Sequence, residues 1–194
     1  MEGTSYRPPV NQLLIHSSHG DERVHNWPNY LELGLGREHI PDLIRMATNE
    51  GLRSAGSGTR EARASLHALR ALGQFRAQAA IEPLLDLFEE WILNDRLSEE
   101  LPAVYGMIGP AAIPPLAAYL ADDLHEAYAR ADAMESLVKI GTMHPEARDE
   151  CVTVLVRQLE LLDENDPEIN GFLISKLKGL DAPRAIASNF SIAL

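Results

Sequence analysis

Apolar residues recur along this chain at spacings of three and four. Ile40, Leu43, Ile44 and Ala47 make one such stripe, and Leu66, Leu69 and Leu72 another. Leu101, Val104, Tyr105 and Ile108 follow, then Ala131, Met134, Leu137 and Val138. This is the period of a helix with one face buried. The spacing predicts a corner and second helix over 36–47, a helix ending near 73, and helices over 77–90, 97–108, 111–120, 127–140, 146–162 and 169–180, with a partner helix begun in 182–194. Alternating β-branched runs are nearly absent, so no sheet is expected.

Between the stripes lie sharp corners. The stretch VYGMIGPAAIPPLAAYL, 104–120, reads as a helix end, a corner at Gly109 and Pro110, and a second helix with Pro114 and Pro115 in its first turn. A proline there loses no hydrogen bond, because first-turn N–H groups have no partner within the helix. Gly73 and Gly141 are expected to end their helices as Gly109 does. NDPE, 165–168, supplies a cap and a first-turn proline. Residues 1–26 are irregular, with a short helix expected over 10–17. Residues 27–194 form the repeat region, with Tyr30, Leu31 and Leu35 as a buried stripe and a Gly/Ser-rich flexible loop over 49–60.

Placed in register, LGQFRAQAAIEPLLDLF, IGPAAIPPLAAYL and IGTMHPEARDECVTVLV bring Gly73, Gly109 and Gly141 together, at spacings of 36 and 32 residues. Two helices per period of this size signal an α-solenoid, in which each pair covers its apolar face only by stacking on the next. AAIEPLLDLF and AAIPPLAAYL resemble the second-helix signature of the short HEAT-like repeats named after phycobilisome lyases. The resemblance spans about 38–186. It implies an all-α, right-handed superhelix of about five helix pairs. It leaves function open, since such proteins include scaffolds, lyase subunits, hydroxylases and DNA-repair enzymes.

Charge narrows the partners. The chain of 194 residues has a net charge of −12, with aromatics only 6% of the sequence. Residues 82–168 hold twenty Asp and Glu against five Lys and Arg. That field repels phosphate backbones, so nucleic acid is not an expected partner and a protein with a basic face is. No run reaches the length of a membrane span, and no apolar leader opens the chain; a soluble, cytoplasmic protein is expected.

Candidate chemistry is sparse. Cys151, the single cysteine, sits beside the apolar stripe of its helix and reads as a packed thiol. His16, His19 and His25 cluster near Asp21 and Glu22, without the spacing of a metal motif. HEAT-repeat hydroxylases carry His-Glu pairs on corresponding helices, whereas this chain has one such dipeptide, His125-Glu126. His144-Pro145-Glu146 reads as a helix start. No catalytic, cofactor-binding or metal-binding residue is assigned, and no cofactor is expected.

The acidic stretches 99–102, 121–126 and 163–168 read as a solvated rim or as a docking rim. The leading expectation is a non-catalytic protein-binding scaffold. Its contact surface is expected on second helices around Glu82, Asp86, Glu89 and Tyr119, with Trp91 as an exposed aromatic and Asp122, Asp123 and Glu126 as rim. The alternative is a lyase or chaperone subunit handling a bilin-type chromophore or its carrier protein.

Overall fold

The computed structural model describes residues 5–15, 27–55, 59–90 and 95–182. Among them are ten α-helices and no strand. They are α1 (Ile40–Ala47), α2 (Glu50–Arg53), α3 (Arg60–Gln74), α4 (Ile81–Leu85), α5 (Leu87–Glu90), α6 (Asp95–Ile108), α7 (Ile113–Ala121), α8 (Ala127–Met143), α9 (Arg148–Leu159) and α10 (Pro167–Gly179). No single helix among the described residues is long and apolar enough to cross a membrane.

Two rows of helices result. In the first, α3 packs on α6, α6 on α8 and α8 on α10. In the second, α4 packs on α7 and α7 on α9. In the first row neighbours run parallel: Arg70 meets Glu100 and Gly73 meets Val104 between α3 and α6. Tyr128 meets Phe172, and Glu135 meets Lys176, so α8 and α10 advance together. The core between the rows is aliphatic, with Leu72, Leu84, Leu101, Leu116, Leu137, Leu155 and Leu173 all buried. α1 packs on α3 and contributes Leu43, Met46 and Ala47 to the same core.

Each second helix is entered through a three-residue 3-10 turn that ends on a buried alanine: Ala80, Ala112 or Ala147. The N–H groups of these alanines donate to the carbonyls of Ala77, Gly109 and His144 at 2.9, 3.0 and 2.9 Å. These three residues are therefore the equivalent corner positions, spaced by 32 and 35 residues. The glycine register needs correcting accordingly. α3 ends near Gly73 as expected, at Gln74, and α8 runs on two residues past Gly141 to Met143, but neither glycine takes the positive φ that would end its helix. They mark close approaches instead: a Cβ on Gly73 would stand 3.3 Å from the Val104 Cα, and one on Gly141 would stand 3.0 Å from Leu180. Only Gly109 has the expected role. Its φ of 91° lets the chain turn by 111° between α6 and α7.

The corner after α3 uses another device. Arg76 takes φ 49°, and the N–H of Ala77 reaches back to the Leu72 carbonyl. Asp181, after α10, also takes φ 49°, and the N–H of Ala182 reaches the Leu177 carbonyl. This pattern closes a helix by satisfying its last carbonyls. Arg148 adds to it at α10, where its guanidinium donates to the Leu180 carbonyl and stands 3.5 Å from Asp181.

Several local expectations change. The 49–60 stretch contains α2, capped by the Asn49 side chain on the Leu52 N–H, with Leu52 buried. The helix expected over 77–90 is a 3-10 turn followed by α4 and α5, interrupted at Asp86. The short element near the start is a 3-10 helix, Val10–Leu14, and residues 16–17 of the expected helix lie outside the described residues. Leu31 is exposed, whereas Tyr30 and Leu35 are buried. The reason is that Tyr30–Leu33 is a single 3-10 turn and too short to carry a helical stripe.

Candidate functional site

The second helices place an acidic depression between consecutive units. Glu82, Leu85 and Asp86 come from α4 and its end, Pro115, Ala118 and Tyr119 from α7, and Asp122 and His125 from the following turn. Helical spacing puts Glu82 and Asp86 one turn apart on an exposed face, while Ile81, Leu84 and Leu85 turn inward. Across from them, Pro115 and Ala118 offer small apolar surface. The depression therefore has carboxylates on its walls and an aromatic floor.

That floor is built around Glu89. Its Oε1 accepts from the Tyr119 hydroxyl at 3.1 Å, from the His125 Nδ1–H at 3.0 Å and from the Glu126 backbone N–H at 3.2 Å. The Tyr119 and His125 rings stack, with centroids 3.7 Å apart and planes 11° apart. Phe88 supports Tyr119 from below, at a tilted 57°, and itself stacks on Tyr105. The other ring nitrogen of His125 points to Asp122, 3.9 Å away. Burial, and then the Glu89 carboxylate, raise the Tyr119 phenol well above its ordinary value, so it stays protonated and donates.

The sequence-derived contact residues thus separate. Glu82, Asp86 and Asp122 face the depression. Asp123 and Glu126 are exposed beside it without lining it. Glu89 is half-buried and organises the floor. Tyr119 lines the depression as part of its floor, with only 6% of it exposed, because its ring is sandwiched and its hydroxyl is bound inward. Trp91 lies outside the described residues. Of the lining residues that sequence reasoning missed, Leu85, Pro115, Ala118 and His125, only His125 is polar. Its dipeptide with Glu126 drew attention to metal chemistry, while its real partners, Glu89 and Tyr119, come from other elements.

A second polar cluster was missed altogether. Arg70, 1% exposed, pairs with Glu100 through two bonds, Nε to Oε2 at 2.9 Å and Nη2 to Oε1 at 2.5 Å. The guanidinium also lies 5.2 Å over the Trp27 ring. Tyr30 and His67 share a hydrogen bond of 2.6 Å, hydroxyl to Nδ1. Gln74 fixes the same segment, accepting from the Tyr30 N–H and donating to the Pro28 carbonyl. Glu100 belongs to the 99–102 stretch expected as solvated rim; it is buried because Arg70 reaches it from the preceding unit. The available sign was charge inside an apolar stripe, Arg70 between Leu69 and Leu72.

Cys151 is buried, and burial together with Glu150 pushes its thiol up to about 11, which leaves it protonated and inert at neutral pH. Among the described residues no three His, Cys, Asp or Glu side chains are placed to hold a metal ion. His16, His19 and His25 lie outside those residues.

Comparison with known proteins gives one finding. A PBS lyase HEAT-like repeat is found at residues 66–90, which run from the second turn of α3 through α5. No curated protein and no solved structure matches the chain.

Proposed function

We propose that this chain is a non-catalytic protein-binding module, a right-handed solenoid of about five HEAT-like helix pairs whose second-helix face docks a partner with a basic surface. The observation that carries this reading is the depression where Glu82, Asp86 and Asp122 surround the Tyr119–His125 floor. A lysine or arginine side chain suits that chemistry, its stem on Pro115 and Ala118 and its charge against the carboxylates. The HEAT-like repeat at 66–90 supports the repeat architecture, since it covers one whole helical corner. The lyase reading rests on the name of that repeat alone.

The test is titration of a fluorescent lysine-only peptide into the protein at low and high salt. Binding that weakens with salt, and weakens further in the double variant Glu82→Gln/Asp86→Asn, is the expected result. No binding at low salt, or equal binding to that variant, would overturn the reading.

A further inference from the structure

The turns that return the chain from α7 to α8 and from α9 to α10 lie toward one edge of the protein, because α8 and α10 pack in parallel, the second residue of α8, Tyr128, meeting Phe172 in the second turn of α10. Each turn presents a leucine to solvent, Leu124 at 88% exposure and Leu161 at 42%. Single exposed leucines are ordinary. These two differ in their setting. Residues 122–126 and 160–168 hold eight carboxylates and no lysine or arginine. Asp122 and Asp166 cap nearby N–H groups. The side chains of Asp123, Glu126, Glu160, Asp163, Glu164 and Glu168 have no bonding partner among the described residues. Unpaired like charges crowded on one edge repel each other, and opposite charge from outside relieves that repulsion.

We propose that this edge docks a basic amphipathic helix of a partner protein. Leu124 and Leu161 meet its apolar stripe, and the surrounding carboxylates meet lysine and arginine on its flanks. A second copy of the chain does not suit the edge, since it would bring the same carboxylates face to face. The proposal takes the sign of the partner's charge from the function proposed above, but places apolar recognition on these turns, outside the walls formed by Glu82 and Asp86.

The probe is an amphipathic leucine–lysine peptide of about four helical turns, compared with a lysine-only peptide of equal charge. The leucine–lysine peptide is expected to bind at least about tenfold more tightly, the gain that burial of a single leucine already supplies. The exposed-site variant Leu124→Ser/Leu161→Ser should remove that advantage and leave the lysine-only affinity unchanged. Glu82→Gln/Asp86→Asn should leave the advantage in place. Equal binding of the two peptides, or an advantage that survives Leu124→Ser/Leu161→Ser, would overturn the proposal. So would a sedimentation shift showing that the wild-type chain self-associates through these leucines. If the lysine-only peptide alone fails to respond to Glu82→Gln/Asp86→Asn, the depression is what fails, and the edge stands on the leucine advantage.

Discussion

The Nδ1–H of His125 donates to Glu89 Oε1 across 3.0 Å, tying the turn that opens α8 to the end of the second helix one unit earlier. The same oxygen holds Tyr119 and the Glu126 N–H. One carboxylate therefore fixes the floor of the depression and the start of the next helix together. Glu89→Ala should strand the buried Tyr119 hydroxyl and cost about 1–3 kcal/mol. Glu89→Gln keeps an acceptor oxygen and should cost clearly less. Urea denaturation gives both values. Hydrogen exchange should locate the loosening in residues 122–126. Equal loss in the two variants would mean that the Glu89 acceptor does not organise this turn.

A second relationship crosses units in the core. Arg70 and Glu100 are both buried and bonded at two points. Removing one partner takes both of these bonds from the other buried charge, at a cost of up to about 3–5 kcal/mol. Arg70→Met is therefore expected to destabilise strongly. Arg70→Met/Glu100→Leu should recover much of the loss, because apolar groups of similar volume avoid desolvation altogether. Denaturant midpoints for the two single variants and the double variant check this through the coupling energy. Additive losses would count against the pair.

These two contacts show what a sequence can and cannot reveal about such a chain. The Gly109-Pro110 corner was legible because both residue types restrict the backbone locally. The helix stripes were legible because burial follows a local period. The Arg70–Glu100 pair was hidden, since each residue looks like a misplaced charge until the other arrives from 30 positions away. The setting of Tyr119 was hidden for a similar reason: its partners Glu89, Phe88 and His125 lie on other elements. The glycine register failed because glycine has two uses here. At Gly109 it permits a positive φ, and at Gly73 and Gly141 it permits close helix contact; the letter is the same in both cases.

Asp132 gives the chain a pH dependence of definite sign. Burial, opposed by Lys176 and reinforced by Glu135, raises its carboxyl to about 6 from an ordinary 3.8. The folded state therefore holds this proton more tightly than the unfolded state does. Stability from this group is fully present below the ordinary value and is lost as pH rises through about 6. Asp132→Asn should raise the melting temperature at pH 7 and leave it nearly unchanged at pH 3.5, about where the unfolded group begins to ionise. Glu135 works in the opposite direction: its carboxyl is lowered, burial being outweighed by Lys176 and Lys139. Only the difference between wild type and Asp132→Asn isolates the Asp132 contribution. Calorimetric melts from pH 3.5 to pH 7 give that difference, and a gap that does not widen with pH would refute the assignment.

Substitution separates the two uses of glycine. Gly109 has φ 91° and ψ −158°, a region essentially closed to other residues, and a Cβ there would come within 3.0 Å of the His144 ring. Gly106 lies inside α6, where a Cβ would stand 2.9 Å from the Lys139 Cβ and 2.9 Å from the Met143 Sδ. Gly109→Ala should lose about 1–3 kcal/mol from backbone strain, with nothing gained in return. Gly106→Ala gains up to about 1 kcal/mol of helix propensity against a packing cost of about 1–3 kcal/mol, so its net loss should be smaller. Lys139→Ala leaves a Cβ in place and should not rescue Gly106→Ala. Met143→Ala removes the thioether and should rescue it in part. Neither should help Gly109→Ala. Chemical denaturation of the two glycine variants and their double variants checks each step, and rescue of Gly109→Ala by His144→Ala, which removes the ring nearest its Cβ, would show that this glycine, too, serves packing rather than the turn.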